Sequence, residues 1–243
     1  MRREGAPLDQ VTGYVLAGGR STRMGRDKAL LELGGTTLIE LAVQKLWAVV
    51  SKVRILGSRP DFKAYAPIVG DLREGCGPLG GLEAALADTT TDWILVLPVD
   101  MPFVPTRLLR GWVSEVLADD TARVAIFSCN GRPQPALCML HREVRPFIAD
   151  ALSRSSFKLY TVFENAASQL AGPHGVSLNR VLLVREVSHE TADLFLRRTS
   201  DDARSSADMV LENLGWDLWF ANLNTPEEFA KAQELLGLPD AGS

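Results

Sequence analysis

The feature that most constrains this chain is the stretch Val15-Leu16-Ala17-Gly18-Gly19-Arg20-Ser21-Thr22-Arg23-Met24-Gly25-Arg26-Asp27-Lys28. An apolar run from Val11 to Ala17 reads as a short buried strand. It breaks into a loop with adjacent glycines and four cations, Arg20, Arg23, Arg26 and Lys28. Glycines at a strand end let the backbone approach a ligand closely and turn its N–H groups towards it. Arg and Lys supply charge for phosphate oxygens. The pattern predicts a polyphosphate site at the carboxyl end of the first strand of an α/β sheet. Without a ligand, the same loop reads as a solvated, charged turn, and Arg20 and Arg26 fit either reading.

The rest of the chain supplies the sheet such a loop needs. Thr36 or Thr37 is placed to cap a helix through Leu38, Leu41, Ala42, Lys45, Leu46 and Val49, whose apolar steps of three and four give one buried face. Lys52 to Leu56 reads as a second strand, Pro60 opens a short helical segment, and Pro67 to Asp71 reads as a third strand ending on a carboxylate. Gly75 to Gly81 reads as a loop, followed by a helix through Leu82, Ala85 and Leu86. Trp93 to Leu97 is a continuous apolar run, as a central parallel strand requires. It ends on Pro98-Val99-Asp100-Met101-Pro102. Strand and helix alternate, which predicts an α/β fold with a mostly parallel sheet and helices on both faces. Ligands bind such sheets at the carboxyl ends of the strands.

The second half is less regular. It reads as a helix from Pro105 to Leu117, a strand from Arg123 to Phe127, a turn at Asn130-Gly131-Arg132-Pro133 and a strand from Pro135 to Leu140, with Pro135 at its edge. Helices over Glu143 to Leu152 and Lys158 to Leu170 and a strand over Arg180 to Val187 follow. Glu190 to Ala207 blurs into charge and reads as a partly mobile insertion. Trp216 to Phe220 reads as a strand. In the run Asn222 to Glu228, Thr225 is a good N-cap, Pro226 suits the first helical position and Glu228 completes a capping box at N3. No repeat or linker interrupts residues 1–243, so one domain is expected.

Composition excludes several classes. With 243 residues, 46% apolar and 23% charged, the balance is that of a soluble globular protein. A net charge of -4 argues against a nucleic-acid binder, while cations gathered near the amino end suit a small anionic ligand. Cys76, Cys129 and Cys138 have no CxxC spacing, which favours a reducing cytoplasm over a disulfide or metal framework. Met1 to Gln10 lacks the apolar stretch of a secretory signal. No apolar run approaches the roughly 18 to 20 residues of a membrane span.

The chemistry narrows further. No Gly-x-x-x-x-Gly-Lys-Ser/Thr run occurs, and Gly18-Gly19 does not fit Gly-x-Gly-x-x-Gly, so P-loop hydrolysis and dinucleotide redox chemistry lose support. His141, His174 and His189 lack Ser or Cys partners in a recognisable order. Phosphoryl or nucleotidyl transfer needs no protein nucleophile and proceeds by positioning and charge neutralisation. Asp100, with Pro98 and Pro102 restricting the backbone on either side, is a candidate ligand for Mg²⁺, which takes one or two carboxylates plus substrate phosphates. Asp71 reads either as a second site carboxylate or as a turn aspartate.

These residues resemble the molybdenum cofactor guanylyltransferases, the MobA-like nucleotidyltransferases. The resemblance rests on Leu16-Ala17-Gly18-Gly19, Arg23-Met24-Gly25, Asp27-Lys28, Gly77-Pro78-Leu79-Gly80-Gly81, Val99-Asp100-Met101-Pro102, Gln134-Pro135 and Asn222-Leu223-Asn224-Thr225-Pro226-Glu227-Glu228. It runs from about Val11 to Leu152 and again from Trp216 to Leu236. It implies a Rossmann-like nucleotidyltransferase fold and Mg²⁺-dependent transfer of GMP from GTP to the terminal phosphate of molybdopterin, with release of pyrophosphate. It implies catalytic roles for Arg23, Lys28 and Asp100, and Asp100 as the metal ligand. Leu16, Ala17, Gly18, Gly19, Lys28, Asp71 and Asp100 would contact the nucleotide, and Asn222 and Asn224 would lie on the molybdopterin side. Gly18 argues for guanine, because cytidylyl relatives tend to carry Leu-Ala-Ala-Gly.

The chain departs from the family in two places. Gly57 stands where the family commonly has an Asn, so a nucleotide contact is lost or moved to Ser58. The stretch 153–215 is longer than in compact members and reads as an insertion. The competing readings are a sibling enzyme using CTP or another phosphorylated acceptor, and a nucleotide-binding regulatory protein without turnover. A molybdoenzyme or its chaperone is the expected acceptor of the product, with the protein as a monomer or homo-oligomer and no membrane or nucleic-acid partner.

Overall fold

The computed structural model describes residues 8–17, 27–188, 191–192 and 216–235. Within them, strands β1 (Leu8–Leu16), β4 (Val50–Leu56), β5 (Ile68–Val69), β6 (Trp93–Pro98), β7 (Val124–Cys129), β8 (Arg132–His141) and β9 (Leu182–Val187) form one sheet. A two-stranded ribbon of β2 (Glu32–Leu33) and β3 (Thr36–Thr37) stands apart from it. The order across the sheet is β5-β4-β1-β6-β8-β7-β9, and every neighbouring pair is parallel except the two made by β8. The predicted mostly parallel α/β sheet is therefore present, with one reversed strand inside it.

Side-chain alternation divides the core in two. On β6, Trp93, Leu95 and Leu97 pack on one side with α1 (Leu38–Trp47) and α3 (Thr106–Leu117). Ile94 and Val96 pack on the other with α2 (Gly77–Asp88), α4 (Arg145–Ser153) and α5 (Leu159–His174). All six β6 residues are buried, the pattern of a strand covered on both faces. Thr37 caps α1 as the sequence predicts, its hydroxyl accepting from the Glu40 N–H at 3.3 Å.

Several expectations need correction. Gly77 to Gly81 is not a loop but the first turns of α2, with Pro78 where a missing N–H costs nothing. After the opening stretch, Lys28–Leu30 is a 3-10 turn before the β2–β3 ribbon. Trp216 to Phe220 is not a strand but a 3-10 turn over Trp216–Leu218 and a bend. Adjacent residues of a strand face opposite ways, whereas Trp219 and Phe220 are both buried in the same cluster. Strand β8 begins at Arg132 and lies in the sheet interior, so Pro135 is not at an edge. The pairing with β7 jumps from Ile126–Cys138 to Phe127–Gln134, and this bulge accommodates the proline that cannot donate to the ladder.

The stretch 153–215 is core as far as Val187. Val162, Phe163, Ala166 and Ala167 of α5 are buried under the sheet, and β9 pairs with β7. Of the irregular segment Glu190 to Ala207, only Thr191 and Ala192 fall inside the described residues. At the chain's end, α6 (Leu178–Val181) precedes β9 and α7 (Pro226–Leu235) closes the described fold. The capping box of α7 is formed as predicted. The Glu228 N–H donates to the Thr225 hydroxyl at 3.2 Å, while the Glu228 carboxylate accepts from the Thr225 N–H at 3.0 Å and the Asn224 N–H at 2.7 Å.

Gly13 sits where α1 and β4 meet β1, and a Cβ there would lie 2.9 Å from Val50 Cγ2 and 3.3 Å from Leu46 Cδ1. Gly13→Ala is expected to destabilise the fold by about 1–3 kcal/mol through overpacking. Urea unfolding checks this as a lower midpoint at unchanged m-value.

Candidate active site

Four parallel strands end in register at one edge of the sheet. Leu16 lies opposite both Leu56 and Pro98, and Leu56 lies opposite Val69. The segments that follow are Ala17, Gly57-Ser58, Gly70-Asp71 and Val99-Asp100. From β1 the chain crosses to β4 on one side, and from β6 to the β7 side on the other. The crevice between the ends of β1 and β6 is thus the switch point where doubly wound sheets bind ligands. The ends are tied together: the Val99 N–H donates to the Leu16 carbonyl at 3.2 Å, and the Ala17 N–H to the Leu56 carbonyl at 3.3 Å. Leu16 and Ala17 are buried, so these two offer backbone rather than side chain.

Across this crevice Lys28 Nζ donates to Asp100 Oδ2 at 2.6 Å and to the Asn224 side-chain oxygen at 3.2 Å. The Lys28 and Asp100 side chains are 19% and 18% exposed, enough to be reached from solvent and enclosed enough to be held in place. The Leu223 N–H donates to the Asp100 carbonyl at 2.9 Å, which fastens the 222–224 segment to the end of β6. Asn224 therefore stands beside Lys28 rather than remote from it, and Asn222 lies half-buried two residues away.

Lys28 is held from below by Asp27, which the sequence named only as part of a motif, and by Arg59, which it did not single out. Asp27 is the N-cap of the 3-10 turn that carries Lys28, accepting from the Ala29 N–H at 3.0 Å through one oxygen. Its other oxygen accepts from Arg59 Nη1 at 2.9 Å. Arg59 also forms a two-pronged pair with Asp61, at 3.1 Å and 2.5 Å, and lies over the Phe62 ring at 5.3 Å. The Asp61 hydrogen bond, reinforced by Asp27, raises the Arg59 pKa further, and Arg59 in turn holds the Asp61 carboxyl below its ordinary value. The signal available in the sequence was Asp directly before Lys at a turn, with a lone Arg beside Pro60-Asp61. Gly57 adopts φ +153°, a conformation that strains any side chain, so this backbone itself favours the glycine.

Asp71 follows β5 on the same edge, three strand places from β6, or about 14 Å at ordinary strand spacing. It does not join the Lys28–Asp100–Asn224 cluster. Its residue surface is exposed, and partial desolvation moves its carboxyl pKa upward. Gly18, Gly19 and Arg23, with Arg20 and Arg26, lie outside the described residues.

The donor set suits a metal that arrives with a nucleotide. Asp100 Oδ2 is taken by Lys28, and among the described residues Oδ1 makes no hydrogen bond. No group of three or more His, Cys, Asp or Glu side chains able to hold a metal occurs among the described residues. One carboxylate oxygen is what Mg²⁺ asks of a protein when substrate phosphates and water fill its other positions. No helix among the described residues is long and apolar enough to cross a membrane.

A family model described as a MobA-like NTP transferase domain matches residues 13–169. The chain belongs to the MobA-like NTP transferase family. The molybdenum cofactor guanylyltransferase of Serratia proteamaculans is 32% identical over 167 residues, covering 66% of this chain and 83% of that protein. That of Vibrio atlanticus is 32% identical over 165 residues, covering 66% and 84%. The crystal structure of molybdopterin-guanine dinucleotide biosynthesis protein A from Archaeoglobus fulgidus superposes with a TM-score of 0.66 at 22% identity, over 93% of this chain and 98% of that one. This structural likeness establishes the nucleotidyltransferase fold, as the sheet order and its two helical layers already indicate. The matched span of this MobA-like transferase includes Lys28, Asp71 and Asp100 but stops before Asn224.

Removing Asp27 tests the support beneath Lys28. Asp27→Ala loses both the cap and the Arg59 anchor and is expected to cost about 1 kcal/mol in stability. Asp27→Asn keeps an oxygen for the cap and falls between the variant and the native protein, as chemical denaturation would record.

Proposed function

We propose that this protein transfers GMP from GTP to the terminal phosphate of molybdopterin, releasing pyrophosphate and forming a guanine dinucleotide. The observation that carries the reading is the convergence of Lys28, Asp100 and Asn224 at the switch point between β1 and β6. A phosphate oxygen of the acceptor attacks the α-phosphorus of GTP, a new P–O–P bond forms, and the bond from the α-phosphorus to the bridging oxygen breaks as pyrophosphate leaves. No residue of the chain is covalently modified, which agrees with the lack of a nucleophile paired with a base in the described site.

Each residue has a physical role in this reading. Leu16 and Ala17 offer their backbone to the triphosphate, and the family resemblance adds Gly18 and Gly19 as nucleotide contacts. Lys28 neutralises its phosphate charge, exchanging the Asp100 carboxylate for phosphate oxygens as the nucleotide enters. Arg23 meets the charge that develops on the leaving pyrophosphate. Asp100 would hold Mg²⁺, which would lessen the charge of the triphosphate. Asp71, farther along the edge, faces the nucleoside end, and Asn222 and Asn224 face the acceptor. The names of the relatives support guanine as the base and molybdopterin as the acceptor.

Pyrophosphate release, measured with each of the four NTPs plus molybdopterin and Mg²⁺, checks the assignment. GTP is expected to be preferred, and equal use of all four would overturn the guanylyl reading. Lys28→Ala is expected to lower kcat by on the order of 10²- to 10³-fold, the loss typical of removing one group that stabilises transition-state charge. Asp100→Asn is expected to abolish Mg²⁺-dependent nucleotide binding. If binding by the variant kept its Mg²⁺ dependence, Asp100 would not be the metal ligand.

A further inference from the structure

The loop 71–76 joins β5 to α2 at the rim of the site, and a buried charge lies beneath it. Glu83, two turns into α2, has a side chain only 6% exposed, and its Oε1 pairs with Arg73 Nη2 of the loop at 3.0 Å. Its other oxygen, Oε2, is buried without a hydrogen-bond partner. A carboxylate in that condition depends on its one cation, because an uncompensated buried charge costs several kcal/mol. Arg73 cannot leave without exposing α2 to that cost, so the pair fastens the loop to the helix.

The surrounding packing makes the fastening rigid. Glu83, Gly80 and Cys76 share one face of the chain at helical spacing. A Cβ on Gly80 would lie 2.8 Å from Cys76 Cβ and 3.6 Å from the Arg73 carbonyl oxygen, so the loop backbone rests directly on the glycine. One residue on, a Cβ on Gly81 would lie 3.2 Å from Leu16 Cδ1 and 3.6 Å from Leu56 Cδ1. Helix α2 is thereby pressed against the ends of β1 and β4 and carries the loop in fixed relation to the phosphate end of the site. In the same loop Asp71 is exposed and Leu72, next to it in the chain, is 58% exposed, so a carboxylate and a large aliphatic side chain are both open to solvent. Such a pair matches a purine that offers an apolar face and N–H donors on its edge.

We propose that Arg73 and Glu83 are positioning residues for base selection: they touch no nucleotide but pin the loop so that Asp71 and Leu72 meet the base of the incoming NTP. This rests on the nucleotidyl-transfer reading above and adds to it the element that reads the base. Arg73→Ala alone leaves the buried Glu83 without its cation and is expected to lower Tm. The double variant Arg73→Ala/Glu83→Leu removes both charges, fills the space, and is expected to recover Tm.

The test compares this double variant with the native protein in three ways: thermal melting, titration calorimetry with GTP and with CTP in Mg²⁺, and amide hydrogen exchange of peptides spanning 71–76. The expected result is a recovered Tm with faster exchange in 71–76. Affinity for GTP should fall by about tenfold to a hundredfold, the cost of misplacing a contact by about 1 Å, with CTP affinity little changed. A double variant that regains both Tm and the native GTP-to-CTP ratio would make the pair a stabilising contact only and overturn the proposal. Loss of Tm in the double variant is resolved by Glu83→Gln, which keeps a hydrogen bond to Arg73: native discrimination with native exchange supports the pin, and lost discrimination with native exchange overturns it. If the native protein itself showed no preference for GTP, the guanylyl reading would fall, and loop exchange would still report whether the pair pins residues 71–76.

Discussion

The contact between Lys28 and Asp100 is the constraint on which the site depends. A partly exposed ion pair adds little to global stability, since solvent screens it and two side chains must be ordered to form it. Its value is geometric. Lys28 enters from the loop after β1 and Asp100 from the end of β6, two neighbouring strands whose chains then depart in opposite directions. The pair spans the crevice and keeps a cation and a carboxylate together at the point where, in the proposed reaction, a polyphosphate and its counterion would meet.

Successive layers of ordinary structure hold that contact in place. The parallel register of β1, β4, β5 and β6 brings four loops to one edge. Asp27 caps the turn beneath Lys28 and is itself anchored by Arg59, which Asp61 fixes from the far side. On the opposite flank, the α7 capping box orients Asn224, because the Glu228 carboxylate holds the Asn224 N–H while the side-chain oxygen faces Lys28. Polar groups close to solvent gain precision from second and third partners in this way, without needing deep burial.

Much of this was legible in the sequence, and the reasons differ from part to part. The continuous apolar run Trp93 to Leu97 could only be a strand covered on both faces, and the Thr225-Pro226-Glu227-Glu228 run could only be a helix start. Lys28 was legible as a cation in the glycine-rich stretch after the first strand, and Asp100 as a carboxylate just past the end of another, chemistry a plain turn does not need. The partnership of Lys28 with Asn224 was not, since nothing local links residues 196 positions apart. Arg59 was passed over because a single arginine after a strand is common and its link to Asp27, 32 residues away, appears only in space. Trp216 to Phe220 misled because aromatic residues favour strands in general, while here tertiary packing turns Trp219 and Phe220 to the same side. Pro135 misled because a bulge, visible only in the pairing register, replaces the expected edge.

The Lys28–Asn224 hydrogen bond also has a meaning in time. Synthesis proceeds from the amino end, and the strands β1, β4, β5 and β6 can be made and begin to associate long before residue 224 exists. A nascent chain therefore carries an incomplete cluster: Lys28 and Asp100 are present, but Asn224 is still to come. The Lys28 cluster is completed only when the segment before α7 has been made, so a chain that stops short of α7 keeps Lys28 and Asp100 but lacks the Asn224 side chain.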